Sequence, residues 1–170
     1  ASVISLFIHI KTNIMRVRPS FPGIVLLSGL ITGTLGILAA IVQYRIMFPG
    51  QQISRLFAYI GSGVFGKAAF SGDPAMAWYG LLFHYVIALL FSLLFFLLYP
   101  KIPVLRKYPV TTGLGYGLLV WCIMQAIVLP LSNVPHGPLH LVNSMIGILI
   151  LILMIGLPVS FIARRYYAEF

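Results

Sequence analysis

The sequence predicts an all-α membrane protein: a bundle of four transmembrane helices, with an amphipathic helix at the outer face between the first and second spans. Three observations carry that expectation. Residues of the AVILMFWYC set make up 61% of the chain and charged residues only 8%, against roughly 25% charged in ordinary soluble domains. Mean hydropathy is +1.06, so polar groups are too few to cover a water-facing surface. The apolar residues also gather into four runs, each near the roughly 20 residues that a helix needs to cross a bilayer core of about 30 Å. The 170 residues are read as one integral membrane domain.

The first span is expected at about 22–48, with Gln43 and Arg45 near its end, the second at about 75–99, the third at about 109–131 and the fourth at about 139–163. Helices are required because lipid offers no partner to free backbone groups. Residues 3–10, "VISLFIHI", are too short to span, and Lys11 follows rather than precedes them. An interfacial segment fits them better than a signal peptide. Charge then orients the bundle. Lys11, Arg16 and Arg18 precede the first span, Lys101, Arg106 and Lys107 fill the short second connection, and Arg164 and Arg165 follow the fourth span. With four spans these clusters share one side, leaving Arg45, Arg55 and Lys67 on the other. The positive-inside rule therefore places both termini in the cytoplasm.

The long first connection holds "GSGVFGKAA", residues 61–69. Gly61, Gly63 and Gly66 match G-x-G-x-x-G. Gly61, Gly66 and Lys67 match G-x-x-x-x-G-K, with Ala68 where a Ser or Thr would hold Mg²⁺. A dinucleotide fingerprint needs a strand before it and an acid about 20 residues on. Here a span precedes it, and the polar residue downstream is His84. The predicted topology also turns this loop away from cytoplasmic ATP. No nucleotide partner is expected; the glycines are read as a small-residue face that lets helices approach closely. The surrounding segment, about 51–70, puts Ile53, Leu56, Phe57, Ile60 and Val64 on one helical stripe, with Arg55, Ser62 and Lys67 elsewhere. This predicts an amphipathic helix lying at the outer interface, or dipping into the bundle, on which Arg55 and Lys67 reach lipid headgroups or a partner.

A weak internal repeat is visible. "GLITG" at 29–33 and "GLGYG" at 113–117 share G-L-x-x-G, and each is followed by an intramembrane amide, Gln43 or Gln125, and by Pro49 or Pro130. Such a pattern predicts two helical hairpins related by an axis along the membrane normal. Gly29, Gly33, Gly113 and Gly117 are then helix-packing residues, expected at an interface between spans one and three.

Every span carries a polar side chain in its outer half: Gln43, His84, Gln125 and Asn143, the last followed by Ser144. Intramembrane polar groups face the bundle interior or a wet cavity. Two readings stay open, interhelical hydrogen bonds or a polar pocket centred on His84. Haem ligation lacks a second histidine at matching depth, since His140 sits at the membrane boundary and His9 on the opposite side. Metal binding by "HGPLH" fails because Gly137 and Pro138 break the helix that would align His136 with His140. That loop pair could still sense pH. Cys122 is alone and offers no disulfide or zinc site. Catalysis has little material: no span holds a carboxylate, Asp73 lies in a loop and Glu169 in the tail. Proton-driven transporters commonly use intramembrane acids, which these spans lack. The net charge of +9 is distributed between apolar runs, where it sets topology, so no nucleic-acid partner is expected.

The stretches "SRLFAYIGSGVFGKAAFSG", "LLFHYVIALLFSLLFFLLYPKI", "IVLPLSNVPHGP" and "GLPVSFIARRYY" together resemble the YagU-like family of bacterial inner-membrane proteins, a domain of unknown function. The resemblance covers roughly residues 25–167. It implies a multi-pass inner-membrane protein without established catalytic residues, and an association with acid tolerance. Span four here carries no histidine in the membrane, so His84 has no counterpart there. The expected function is non-enzymatic and cofactor-free: an accessory or stabilising subunit of a membrane complex or homo-oligomer, in contact with lipid and protein partners. A small proton-linked conduit, or a lipid- or quinone-binding protein, stand as alternatives.

Overall fold

The structure, a computed structural model, describes residues 19–135 and 141–168. The 3–10 segment, His9, Lys11, Arg16, Arg18, the His136 and His140 pair and Glu169 lie outside the described residues.

Six helices follow one another among the described residues. Helix α1 runs Phe21–Met47, with Ser20 Oγ accepting from the Gly23 N–H at 3.3 Å and Pro22 in its first turn. Pro49 and Gly50, the latter at φ +85°, turn the chain away from it. Helix α2, Ile53–Phe65, stops at Gly66, whose φ of 56° and ψ of −135° suit only a residue without a side chain. A 3₁₀ stretch, Gly66–Phe70, follows. Helix α3, Pro74–Leu98, is capped by Asp73, which accepts from the Ala75 N–H at 2.9 Å. The short α4, Pro103–Lys107, leads into α5, Pro109–Leu131, and after the third connection comes α6, Leu141–Tyr167. Four of these helices, α1, α3, α5 and α6, are long and apolar enough to cross a membrane. The last runs past its expected end at 163, because cations in a final turn favour the helix dipole and can reach beyond the apolar core.

Helices α5 and α6 both open into π turns, at Met124–Val128 and Ile152–Gly156. Pro130 and Pro158 explain them. A proline has no N–H and its ring crowds the carbonyl four residues back. The ladder widens just upstream, so that Leu129 N–H bonds to Met124 O and Leu157 N–H to Ile152 O.

The glycine seams run within each hairpin, which corrects the expected pairing of spans one and three. A Cβ on Gly29 would lie 3.0 Å from Leu89 Cα, and one on Gly33 would lie 2.8 Å from Tyr85 Cδ1, both on α3. On Gly113 it would lie 2.9 Å from Leu157 Cα, and on Gly117 2.8 Å from Ile152 N, both on α6. Consecutive antiparallel helices are neighbours in the bundle, so each small face meets the helix that follows it. Helix α1 also packs along α6, and α3 reaches α5 through Phe95 and Tyr116, whose ring centroids are 4.7 Å apart.

Helix α2 lies along α3, but not by its aliphatic stripe. Ala58, Gly61 and Ser62 are the buried residues, whereas Val64 is 56% exposed. Ser62, which lies off the apolar stripe, is fully buried and donates to Tyr59 O at 2.6 Å. The reason is the closeness of the crossing: Gly80 leaves room for the Phe57 carbonyl, and a Cβ on Gly61 would lie 3.1 Å from Met76 O.

The densest packing fills the half of the bundle near Lys101, Arg106, Arg164 and Arg165. Phe91, Phe95, Phe96, Tyr99, Tyr116, Val120 and Val159 are buried there. Tyr116 donates to Phe91 O, and Ser160 Oγ to Pro109 O at 2.7 Å. The opposite half, beneath the first and third connections, is where the helices part.

Candidate functional site

The small residues of α1 determine what α3 can place beside it. Gly33 leaves room for Tyr85 and Ala88, and Gly36 borders the His84 ring, where a Cβ would stand 3.6 Å from His84 Cε1. His84 Nε2 donates to the Gly33 carbonyl at 2.8 Å. That bond requires a proton on Nε2, so in the neutral ring the lone pair is on Nδ1. The same seam carries a contact between Thr34 Oγ1 and Tyr85 OH at 2.9 Å, and a bond from Thr32 Oγ1 to Ser28 O at 2.9 Å. Ser28 Oγ is buried there without a partner.

Gln43, His84, Gln125 and Asn143, one from each span, line a single cavity of about 640 Å³. Gln125 belongs to the π turn that Pro130 induces, and Pro130 is itself in the wall. Trp121, Met124, Leu151 and Ile155 supply apolar surface, and Ser144 adds a hydroxyl. A second cavity of about 720 Å³ adjoins it, sharing Ala40, Gln43, Tyr59 and Asn143, and extends to Arg55, Phe48 and Phe70. The two form one cleft, running from the first connection to the imidazole of His84. Gln43 Nε2 lies 3.7 Å from Met47 Sδ on its own helix. Among the described residues, neither Gln125 nor Asn143 spends its amide on another helix. Burial pushes the Tyr59 phenol above the usual tyrosine range, so it remains a donor at neutral pH. No carboxylate lines the cleft; Asp73, the sole one among the described residues, caps α3.

The remaining candidates lie apart from it. Arg55 sits at the rim of the second cavity, exposed, and donates to Gln51 Oε1 at 2.9 Å. Lys67 is exposed and lines neither cavity. Gly29, Gly33, Gly113 and Gly117 belong to the seams. "GSGVFGKAA" spans the end of a helix rather than its start. Asn133 closes that end, its backbone N–H donating to Gly63 O at 2.9 Å and its Nδ2 to Val64 O at 3.1 Å. A helix C-terminus presents carbonyls and the negative end of the dipole, the reverse of a phosphate cradle.

Sequence reasoning missed Tyr59, Trp121 and Asn133, while it places Ser144 beside Asn143 at the start of span four. Trp121 lies one helical turn before Gln125, a spacing that places both on one face. Asn133 gave only a turn signal in "SNVP". No family model, curated protein or solved structure matches the chain, so the geometry of the cleft itself is what a functional reading stands on.

Proposed function

We propose that this chain is a non-enzymatic, multi-pass protein of the bacterial inner membrane that holds an amphipathic ligand of lipid or quinone type between its helices. The carrying observation is the shared cavity of Gln43, His84, Gln125 and Asn143, whose other walls are largely apolar. Its volume lies within the roughly 300–1,000 Å³ of ligand sites, which pair apolar walls with a few placed polar groups. The amides of Gln125 and Asn143, without a partner among the described residues, support a ligand over interhelical bonding. The YagU-like resemblance supports the bacterial inner membrane. The basic residues at one end support cytoplasmic termini, which puts the cleft in the outer half with α2 as its interfacial, amphipathic cover. The equivalent glycine seams of the two hairpins support a parallel repeat.

Ala40 lines both cavities, so Ala40→Phe fills their junction. Native mass spectrometry of the detergent-solubilised chain is expected to show a bound amphipath that this variant loses. Equal retention by both proteins rejects the reading.

A second reading is an accessory or stabilising subunit in a complex or homo-oligomer. It is favoured by Gly115 on α5, beside which nothing lies within 4 Å, between exposed Leu114 and Leu118. A lone monomer in mild detergent counts against it. The proton-linked conduit has less support, because the aromatic core around Phe95 and Tyr116 fills the path beyond His84. Liposome flux unaffected by His84→Ala removes it.

A further inference from the structure

The cleft carries its charge at one end only, and that charge specifies the kind of amphipath. At its rim stands Arg55, the one formally charged side chain that lines either cavity among the described residues. Its hydrogen-bond partner is the neutral Gln51, so its charge is uncompensated within the cleft. At the junction are the neutral donors and acceptors of Gln43, Tyr59 and Asn143. Apolar side chains run through both parts, Phe48, Leu56 and Phe70 near the arginine and Trp121, Leu151 and Ile155 further in. There His84, Gln125 and Ser144 add neutral polar groups. One cation on a largely apolar cleft with neutral donors and acceptors is the complement of an anionic amphipath, with a phosphate for the arginine and a chain for the apolar walls.

Resting on the amphipathic-ligand reading above, we infer that the cleft binds one anionic membrane phospholipid. Its phosphate faces Arg55, its ester oxygens lie by Gln43, Tyr59 and Asn143, and one acyl chain extends toward Trp121. A quinone has a neutral head and leaves the arginine without a counter-charge. A soluble phosphate pairs with the arginine but leaves the apolar walls unfilled. Guanidinium suits the task, because its planar fork meets phosphate oxygens two at a time.

Two tryptophans make the test practical. Trp78 is 72% exposed and lies outside the cleft, while Trp121 lines it. In the Trp78→Phe background, Trp121 alone reports. The full chain is placed in bilayers containing a small fraction of phosphatidylglycerol or phosphatidylcholine with brominated chains, and quenching of Trp121 is read. Phosphatidylglycerol is expected to quench at about fivefold lower mole fraction, the preference that one basic side chain near an anionic headgroup provides. Arg55→Gln should abolish that preference, Arg55→Lys should restore part of it, and Lys67→Gln should leave it intact. Ala40→Phe should lower quenching by both lipids, and inorganic phosphate should displace neither.

Equal quenching by the two lipids overturns the inference while leaving an amphipath in the cleft, provided Ala40→Phe still protects. Loss of preference in Lys67→Gln equal to that in Arg55→Gln also overturns it, because general surface attraction then suffices. Displacement by inorganic phosphate reassigns Arg55 to a soluble anion. Quenching indifferent to Ala40→Phe sinks the parent reading and this one together.

Discussion

His84 and Gly33 join the first two spans through one contact, imidazole Nε2–H to carbonyl oxygen over 2.8 Å. Gly33 itself lets the two helices approach closely, since a Cβ there would lie 2.8 Å from Tyr85 Cδ1. Hydrogen bonds between membrane helices contribute about 0.6 kcal/mol on average, up to about 1.7. His84→Ala, which also removes the ring's packing, is expected to cost about 1–2 kcal/mol in mixed-micelle unfolding. His84→Gln keeps a donor and should recover part of that. In ¹⁵N NMR the neutral ring should carry its proton on Nε2; a proton on Nδ1 contradicts the contact.

The glycines of α5 separate packing from propensity. A Cβ on Gly117 meets the backbone of Ile152, whereas Gly115 faces open space. Gly117→Ala should therefore destabilise by about 1–3 kcal/mol through overpacking. Gly115→Ala should be neutral or stabilising by up to about 1 kcal/mol, the helix-propensity difference. Gly80→Ala, directed at the Phe57 carbonyl, should be the most damaging of the three. Unfolding midpoints in one detergent rank them.

Asn133 holds the end of α2 with two bonds, one from its backbone and one from its side chain. Asn133→Ala should cost about 1 kcal/mol, the net value of one hydrogen bond. Asn133→Asp should cost more, because a carboxylate then faces the Val64 carbonyl. Hydrogen exchange over the last turn of α2 should speed up in the same order.

Gly66 and Gly63 belong to the same nucleotide-like motif yet should respond differently. Gly66 has φ 56° and ψ −135°, where an alanine stores about 1–3 kcal/mol of strain. A Cβ on Gly63 would lie 3.7 Å from Val134 Cγ2, an ordinary contact. Thermal melts should therefore show a loss for Gly66→Ala and almost none for Gly63→Ala. A phosphate-binding loop would suffer from both, in ATP affinity rather than in melting.

The spans were readable because lipid imposes length and apolarity on each helix separately, with no knowledge of its neighbours. The same holds for Gln43, His84, Gln125 and Asn143: each is a polar side chain in an apolar run, and such groups turn inward. What spacing does not encode is the partner. G-L-x-x-G announced close approach, but Gly29 and Gly113 meet α3 and α6 through the order of helices around the bundle. The stripe of Ile53, Leu56 and Ile60 announced an amphipathic helix without saying which residues would touch the bundle; Gly80 on another helix brings Ala58, Gly61 and Ser62 into the contact. Pro130 and Pro158 were visible as residues. Their widening of the ladder, and Gln125's place in a π turn within the cleft wall, depend on how each helix accommodates its proline.

The glycine seams have a consequence for biogenesis. Each hairpin closes its own tightest contact, α1 on α3 and α5 on α6, so the first pair can leave the translocon with its seam made before the second is synthesised. The connection around Lys101 and Ile102 adds local bonds, Arg106 Nη2 to Pro100 O at 2.9 Å and Thr112 Oγ1 to Leu105 O at 3.2 Å, but neither seam passes through it. Severing the gene there and co-expressing the halves should yield two separately inserted hairpins that recombine in the bilayer, as the two-stage view of membrane folding expects.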